Sequence, residues 1–184
     1  GAELLYGKGR ENSSFLYIYI DSFIGGGIVI NGNLHQGIRS NAAALASYPV
    51  SHSTSPHLAK GRRPFEILLN RSSLMSLIDF LNYHQHSIDN LHDLQVFLDT
   101  DLASADQWID DCSEALAELV ISYVAMLDLD TVFIDINLNG PIISRIIEKT
   151  SKKVASFIER DLHSPIILQG SLGKSAIVRG GAIL

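Results

Sequence analysis

Three features of the sequence predict an α/β fold, a mixed sheet flanked by helices. Two short runs of strand formers, Phe15–Ile20 and Gly26–Ile30, meet at the triple glycine Gly25-Gly26-Gly27. A long central region then carries apolar residues at helical spacing. Finally, the buried-strand pattern Thr131–Ile136 returns, followed by one more helix, a short strand and a small-residue helix. Strands, helices, a late strand and a closing helix are what a three-layer α/β domain requires.

The elements follow in order. Ala2–Tyr6 reads as a short helix ending at Gly7. Phe15–Ile20 and Gly26–Ile30 read as strands, with a third around Leu34–Gln36. Asn31-Gly32 lies between strand formers and predicts a hairpin turn, because both turn positions need φ > 0. Ser40–Ala46 is alanine-rich and predicts a short helix capped near Ser40. Residues Ser51 to Arg63 shift to Ser, His, Pro and basic residues and read as a mobile surface loop. Pro64 opens a helix over Phe65–Asn70, continued by the stripe Leu74, Leu77, Ile78 and Leu81. Ile88–Leu98 is a further helical set started by Asp89. A longer helix runs from Ser104 or Asp106 to about Met126, with Ile109, Cys112, Leu116, Leu119, Val120 and Tyr123 at the helical period. Pro141 starts a helix over Ile142–Ile147 that continues or restarts through Val154–Ile158. Ile166–Leu168 is the last strand and Lys174–Ile183 the last helix.

Bulk properties limit the function classes. With 184 residues, 46% apolar and 18% charged, the chain can bury a core and is expected to form one domain over residues 1–184. A net charge of −6 argues against a nucleic-acid surface, and the only basic cluster is Lys60-Gly61-Arg62-Arg63. The single cysteine, Cys112, excludes an intrachain disulfide framework and fits a reducing cytoplasm. No apolar run approaches the roughly 18 residues of a membrane span, so a cytoplasmic protein without membrane contact is expected.

The order strand, Gly25-Gly26-Gly27, strand, Asn31-Gly32, Gly37, Asn41-Ala42 and Pro49-Val50 resembles the signature region of the ROK family. That family comprises sugar kinases and sugar-responsive transcriptional repressors. Gly1-Ala2-Glu3 is similar to the helix after the family's catalytic aspartate, and Gly173-Lys174-Ser175-Ala176 with Gly180-Gly181-Ala182 to its closing helix. The resemblance implies the C-terminal lobe of an actin/hexokinase-like (ribonuclease H-like) ATPase fold, with the catalytic aspartate lying before Gly1.

The family's functional motifs are altered. Its phosphate-binding turn, Gly-Thr-Gly-Ile-Gly-Gly-Gly, falls on Asp21-Ser22-Phe23-Ile24-Gly25-Gly26-Gly27. Only the last three glycines remain to approach a ligand, and they can equally serve a tight strand crossing. A carboxylate at Asp21 repels a triphosphate by about 4 kcal/mol per close unit charge at intermediate dielectric, although a bound magnesium would reverse that sign. Phe23 fills space that a phosphate would need. The sugar motif Asn-Ala-Gly-Glu-x-Gly-His falls on Asn41-Ala42-Ala43-Ala44-Leu45-Ala46-Ser47, so a glutamate has become Ala44 and a histidine Ser47. Each unpaired sugar hydroxyl would then cost about 1–3 kcal/mol. The zinc motif places its cysteines on His57, Ala59 and Pro64, which leaves His57 and nearby His52, too few ligands for zinc. Glu66 matches a surviving sugar contact and equally suits the first turn of a helix. After Val132–Ile136, the family's glycine pair is reduced to Gly140. His84, His86 and His92 show no metal-binding spacing and read as surface or packing residues.

Taken together, the ligand-binding candidates are Glu66, Asn41, Gly25, Gly26 and Gly27, with no catalytic residue, no metal ligand and no cofactor. The expected function is the effector-sensing and dimerisation domain of a ROK-type regulator whose kinase chemistry is lost. Its expected partners are a second copy of the chain and a sugar-like small molecule, with no direct nucleic-acid contact. The alternatives are half of a sugar kinase and a scaffold that dimerises and binds nothing small. The helix over Trp108–Met126 offers an interface, or simply packs in the core.

Overall fold

The computed structural model describes residues 8–55, 64–158 and 162–171. The helices expected over Ala2–Tyr6 and Lys174–Ile183 and the basic stretch Lys60–Arg63 lie outside them. In chain order the elements are β1 (Phe15–Ile20), β2 (Ile24–Ile30), β3 (Asn33–His35), β4 (Pro49–Val50) and β5 (Glu66–Ile67). The helices α1 (Leu68–Ser72), α2 (Leu74–Tyr83), α3 (Leu91–Thr100) and α4 (Asp106–Leu127) follow. Then come β6 (Thr131–Ile136), α5 (Ile142–Phe157) and β7 (Ile166–Gln169).

Among the described residues, five strands form one mixed sheet in the order β3-β2-β1-β6-β7. β1 is antiparallel to β2 and parallel to β6, which is parallel to β7. The remaining pair, β4 and β5, forms a small antiparallel ladder of its own. The alternation of β1 sends Leu16, Ile18 and Ile20 to one face, where they join α4 residues Ile109, Leu116 and Val120 and α5 residues Ile142 and Ile146 in the main core. Phe15 and Phe133 meet edge-to-face on the opposite face at 5.2 Å, beside Val29 and Tyr17. All six residues of β6 are buried, as a central parallel strand demands.

The Asn31-Gly32 turn forms as expected, with φ of 50° at Asn31 and 75° at Gly32. It joins β2 to β3 through the Ile30–Asn33 pair. Strand β2 begins at Ile24, two residues earlier than predicted, so the triple glycine lies within a strand.

The structure corrects several expected elements. No α-helix forms over Ser40–Ala46, where Ser40 and Ala43 have φ of 52° and 58° and only a 3-10 turn at Leu45–Ser47 appears. Seven residues are too few to nucleate a helix unaided, and burial of Leu45 in the core sets the local path instead. The helix expected from Pro64 begins only at Leu68, because Glu66 and Ile67 pair with Val50 and Pro49. It also breaks at Ser73, which is extended and caps α2 in a reciprocal box with Ser76. Asn90, not Asp89, starts α3: its side chain accepts the Asp93 amide at 3.0 Å. Of the two expected courses after Ile147, continuation is the one observed: α5 is a single uninterrupted helix.

Gly26 explains part of the glycine cluster. A Cβ there would overlap the Tyr17 carbonyl oxygen and Leu45 Cδ1, whereas one at Gly25 would meet nothing within 4 Å. Gly26→Ala is therefore expected to destabilise the fold by about 1–3 kcal/mol in chemical denaturation. A variant as stable as the parent would show that neither the Tyr17 carbonyl nor Leu45 lies against Gly26.

Candidate functional site

In α/β sheets, ligands bind outside the carboxyl ends of the strands. Here the parallel register pairs Ile20 with Ile136 and so sets Asp21 beside Asn137, one residue past each strand. The Asn137 amide donates to the Ile20 carbonyl at 2.8 Å. Asp21 Oδ1 accepts the Asn137 side-chain amide at 3.0 Å and the Ser22 backbone N–H at 2.7 Å. The turn is closed further by Asp21 N–H donating to the Phe23 carbonyl at 2.8 Å. The first amide of α2, Leu74, donates to the Asp21 carbonyl at 2.7 Å. Asp21 thus ties together the ends of two strands and the start of a helix.

Phe23 stands at the tip of this turn with 69% of its surface exposed, and its backbone is not left-handed. It borders an open depression with Tyr19, Asp21, Ser22, Ile24 and Gly25. Tyr19 is only 9% exposed, and its hydroxyl makes no hydrogen bond among the described residues. Burial, reinforced by the Asp21 and Asp135 carboxylates, pushes its phenol up to about 12. Asp135, buried on the same face, accepts the Tyr17 hydroxyl at 3.0 Å.

Gly25, Gly26 and Gly27 pair with Tyr19, Ile18 and Tyr17 in the sheet ladder, and none has positive φ. Glu66, on β5, is 5% exposed. Its Oε1 accepts the Ile67 N–H at 2.8 Å and the Asn70 side-chain amide at 2.7 Å. Its Oε2 is buried and accepts nothing among the described residues. The predicted helix-turn role for Glu66 is replaced by a strand position, yet the carboxylate remains, with one oxygen available. Asn41 is exposed, and no hydrogen bond among the described residues links it to Glu66. The substituted motif positions Ala44 and Ser47 are exposed as well. His57 lies outside the described residues, within which no group of three or more His, Cys, Asp or Glu side chains could hold a metal ion.

Sequence reasoning missed the most highly charged buried cluster. Arg71 has no exposed surface and grips Asp111 with two nitrogens, Nη2 to Oδ1 at 2.8 Å and Nε to Oδ2 at 3.1 Å. Its Nη1 donates to the Ser51 carbonyl at 3.0 Å, and Glu118 lies 3.5 Å away. Ser51 donates its N–H to Glu118 at 2.7 Å, and Ser53 its hydroxyl to Asp111 at 2.6 Å. Residues 51–55, the first part of the expected surface loop, are thereby fastened to α4. Part of the signal was present: Ser51, Ser53 and Ser55 alternate, and Asp111, Glu114 and Glu118 share one helical stripe. His84 lies against Phe80 and His86 against Phe97 in tilted ring pairs, each at 4.7 Å, which agrees with packing roles. Trp108 is fully buried and donates to Ser76 Oγ at 2.9 Å, so this end of α4 faces the core.

No family model and no curated protein matches the sequence. Solved structures do match. A ROK hexokinase from Thermus thermophilus aligns with a TM-score of 0.73 at 18% identity, covering 99% of this chain and 60% of that one. A ROK family transcriptional regulator, a homolog of the E. coli MLC protein, gives 0.74 at 18% identity, over 99% and 48%. A putative sugar kinase from Cytophaga hutchinsonii gives 0.75 at 16% identity, over 99% and 61%. The fold is that of ROK proteins. The chain spans between 48% and 61% of the length of these ROK structures, as half of the actin/hexokinase-like architecture would. Kinases and a regulator share this ROK fold, so the function must be argued from the site. No helix among the described residues is long and apolar enough to cross a membrane.

Removing one partner of a buried ion pair leaves the other charge uncompensated. Arg71→Met is expected to cost about 3–5 kcal/mol in chemical denaturation. A loss below about 1 kcal/mol would mean that the Arg71 cluster is solvated and weak, like a surface pair.

Proposed function

We propose that this chain is the effector-sensing and dimerisation domain of a ROK-type transcriptional regulator that has lost kinase chemistry. Residues 1–184 form one domain on this reading, acting in the cytoplasm, with a second copy of itself and a sugar-like small molecule as partners. The acidic chain makes no direct nucleic-acid contact.

The observation that carries the proposal is the contrast between two sites. At the strand ends, the turn that would face a nucleotide is tied shut by the Asp21 carboxylate. At β5, Glu66 keeps a buried oxygen with no hydrogen bond among the described residues, while Asn70 fixes its other oxygen. A buried acceptor left unmade is costly, and a ligand hydroxyl or amine is the natural donor to supply it. Asn41, Gly25, Gly26 and Gly27 complete the proposed ligand set. The similarity to a transcriptional regulator over 99% of the chain supports this reading, and similarity to sugar kinases keeps sugar as the ligand class.

Thermal-shift titration of the full-length protein tests it. Binding raises stability by about 2.7 kcal/mol at a hundred times the dissociation constant. A sugar or sugar derivative is expected to raise the melting temperature and ATP–Mg is not, and Glu66→Gln is expected to abolish the sugar response. A shift with ATP–Mg would restore the kinase reading, and the absence of any shift would leave a scaffold.

A further inference from the structure

We propose that the Asp21 carboxylate occupies the place of a bound anion, which makes Asp21 the residue that excludes phosphate-bearing ligands from the strand-end site. Simple repulsion would need only a charge nearby. The geometry shows more than that: the carboxylate itself accepts the Ser22 amide and the Asn137 side-chain amide.

Two donors converge on the carboxylate, and a third group borders it. The Ser22 backbone N–H reaches Asp21 Oδ1 at 2.7 Å, in the manner of a turn amide on a phosphate oxygen. The Asn137 side-chain amide reaches the same oxygen at 3.0 Å from the end of the neighbouring parallel strand. The Tyr19 hydroxyl is buried, makes no hydrogen bond among the described residues and borders the same depression. Burial first, and then the nearby Asp21 and Asp135 carboxylates, raise the Tyr19 phenol pKa. The start of α2 adds a favourable field for negative charge, though its first amide is already spent on the Asp21 carbonyl. The carboxylate thus takes one donor from its own turn and one from the end of the neighbouring strand. This arrangement is a small anion site with the anion covalently attached.

Removing the carboxylate should therefore open the site to an external anion. Asp21 does not have a left-handed backbone, so alanine or serine fits without strain. Inorganic phosphate is the probe, titrated against sodium chloride of equal ionic strength and followed by phosphorus NMR line broadening and by melting temperature. The unsubstituted protein is expected to show no saturable effect. Asp21→Ala is expected to bind phosphate at least about tenfold more tightly, a difference of about 1.4 kcal/mol. Asp21→Ser, which keeps a short acceptor for the Ser22 amide, guards against a folding failure and is expected to behave the same way. Adding Asn137→Ala to either variant should abolish the gain. Failure of both single variants to bind phosphate would overturn the inference, as would phosphate binding by the unsubstituted protein at equal strength. The inference extends the reading of lost kinase chemistry, but the two fail separately. A missing sugar response leaves the phosphate result standing, and a missing phosphate gain leaves the sugar response standing.

Discussion

The parallel pairing of β1 with β6 is the constraint from which the rest of the site follows. Its register aligns Leu16 with Val132 and Ile20 with Ile136, so both strands end at the same level. Their apolar side chains on one face are completed by α4 and α5, which anchors the pair in the main core. A slip of one residue would turn every core side chain to the other face, so the register is tightly specified. Once it is fixed, Asp21 and Asn137 must lie side by side, and the turn to β2 must close over them. The bonds of Asp21 to Asn137 and Leu74 are thus a consequence of core packing, while those to Ser22 and Phe23 are made within the turn itself.

A second fastening holds the other half of the site. The fully buried Arg71 joins Asp111 on α4 to the backbone of Ser51, directly after β4. Strand β4 pairs with β5, and β5 carries Glu66, so the ion pair and the proposed ligand carboxylate belong to one mechanical unit. Buried pairs of this kind contribute little net stability over an apolar isostere, but breaking them is expensive. Arg71 therefore specifies the path of residues 51–55 more than it adds to overall stability. Cys112 lies in the same region, and its complete burial pushes the thiol up to about 12, so it acts as a small apolar residue there.

Much of the fold was legible in the sequence, for identifiable reasons. β1 and β6 were found with their exact ends because each is a run of strand formers, broken in β6 only by Asp135, bounded by polar residues. The Asn31-Gly32 turn was found because its chemistry admits almost no other conformation. α4 was found because eleven of its residues are buried at helical spacing. The failures lie where tertiary contacts override local preference. Ser40–Ala46 has helical composition but is drawn into an irregular path by Leu45, and Glu66-Ile67 has helical context but pairs with β4. The Arg71 cluster was missed because its partners are up to 47 positions apart and no local period connects them. At the candidate site, the replacement of glycine by Asp21 was visible, but not that Asn137 receives the carboxylate.

The central claim is that the turn between β1 and β2 is already satisfied and does not respond to phosphate, while Glu66 keeps a buried oxygen with no hydrogen bond among the described residues. Amide-resolved NMR of the isotope-labelled protein during addition of ATP–Mg tests this most directly. The account predicts that the Ser22 and Phe23 amides and the Asn137 side-chain amide keep their positions throughout the titration. A saturable shift of these three signals together would show that the turn opens to phosphate and would contradict the account.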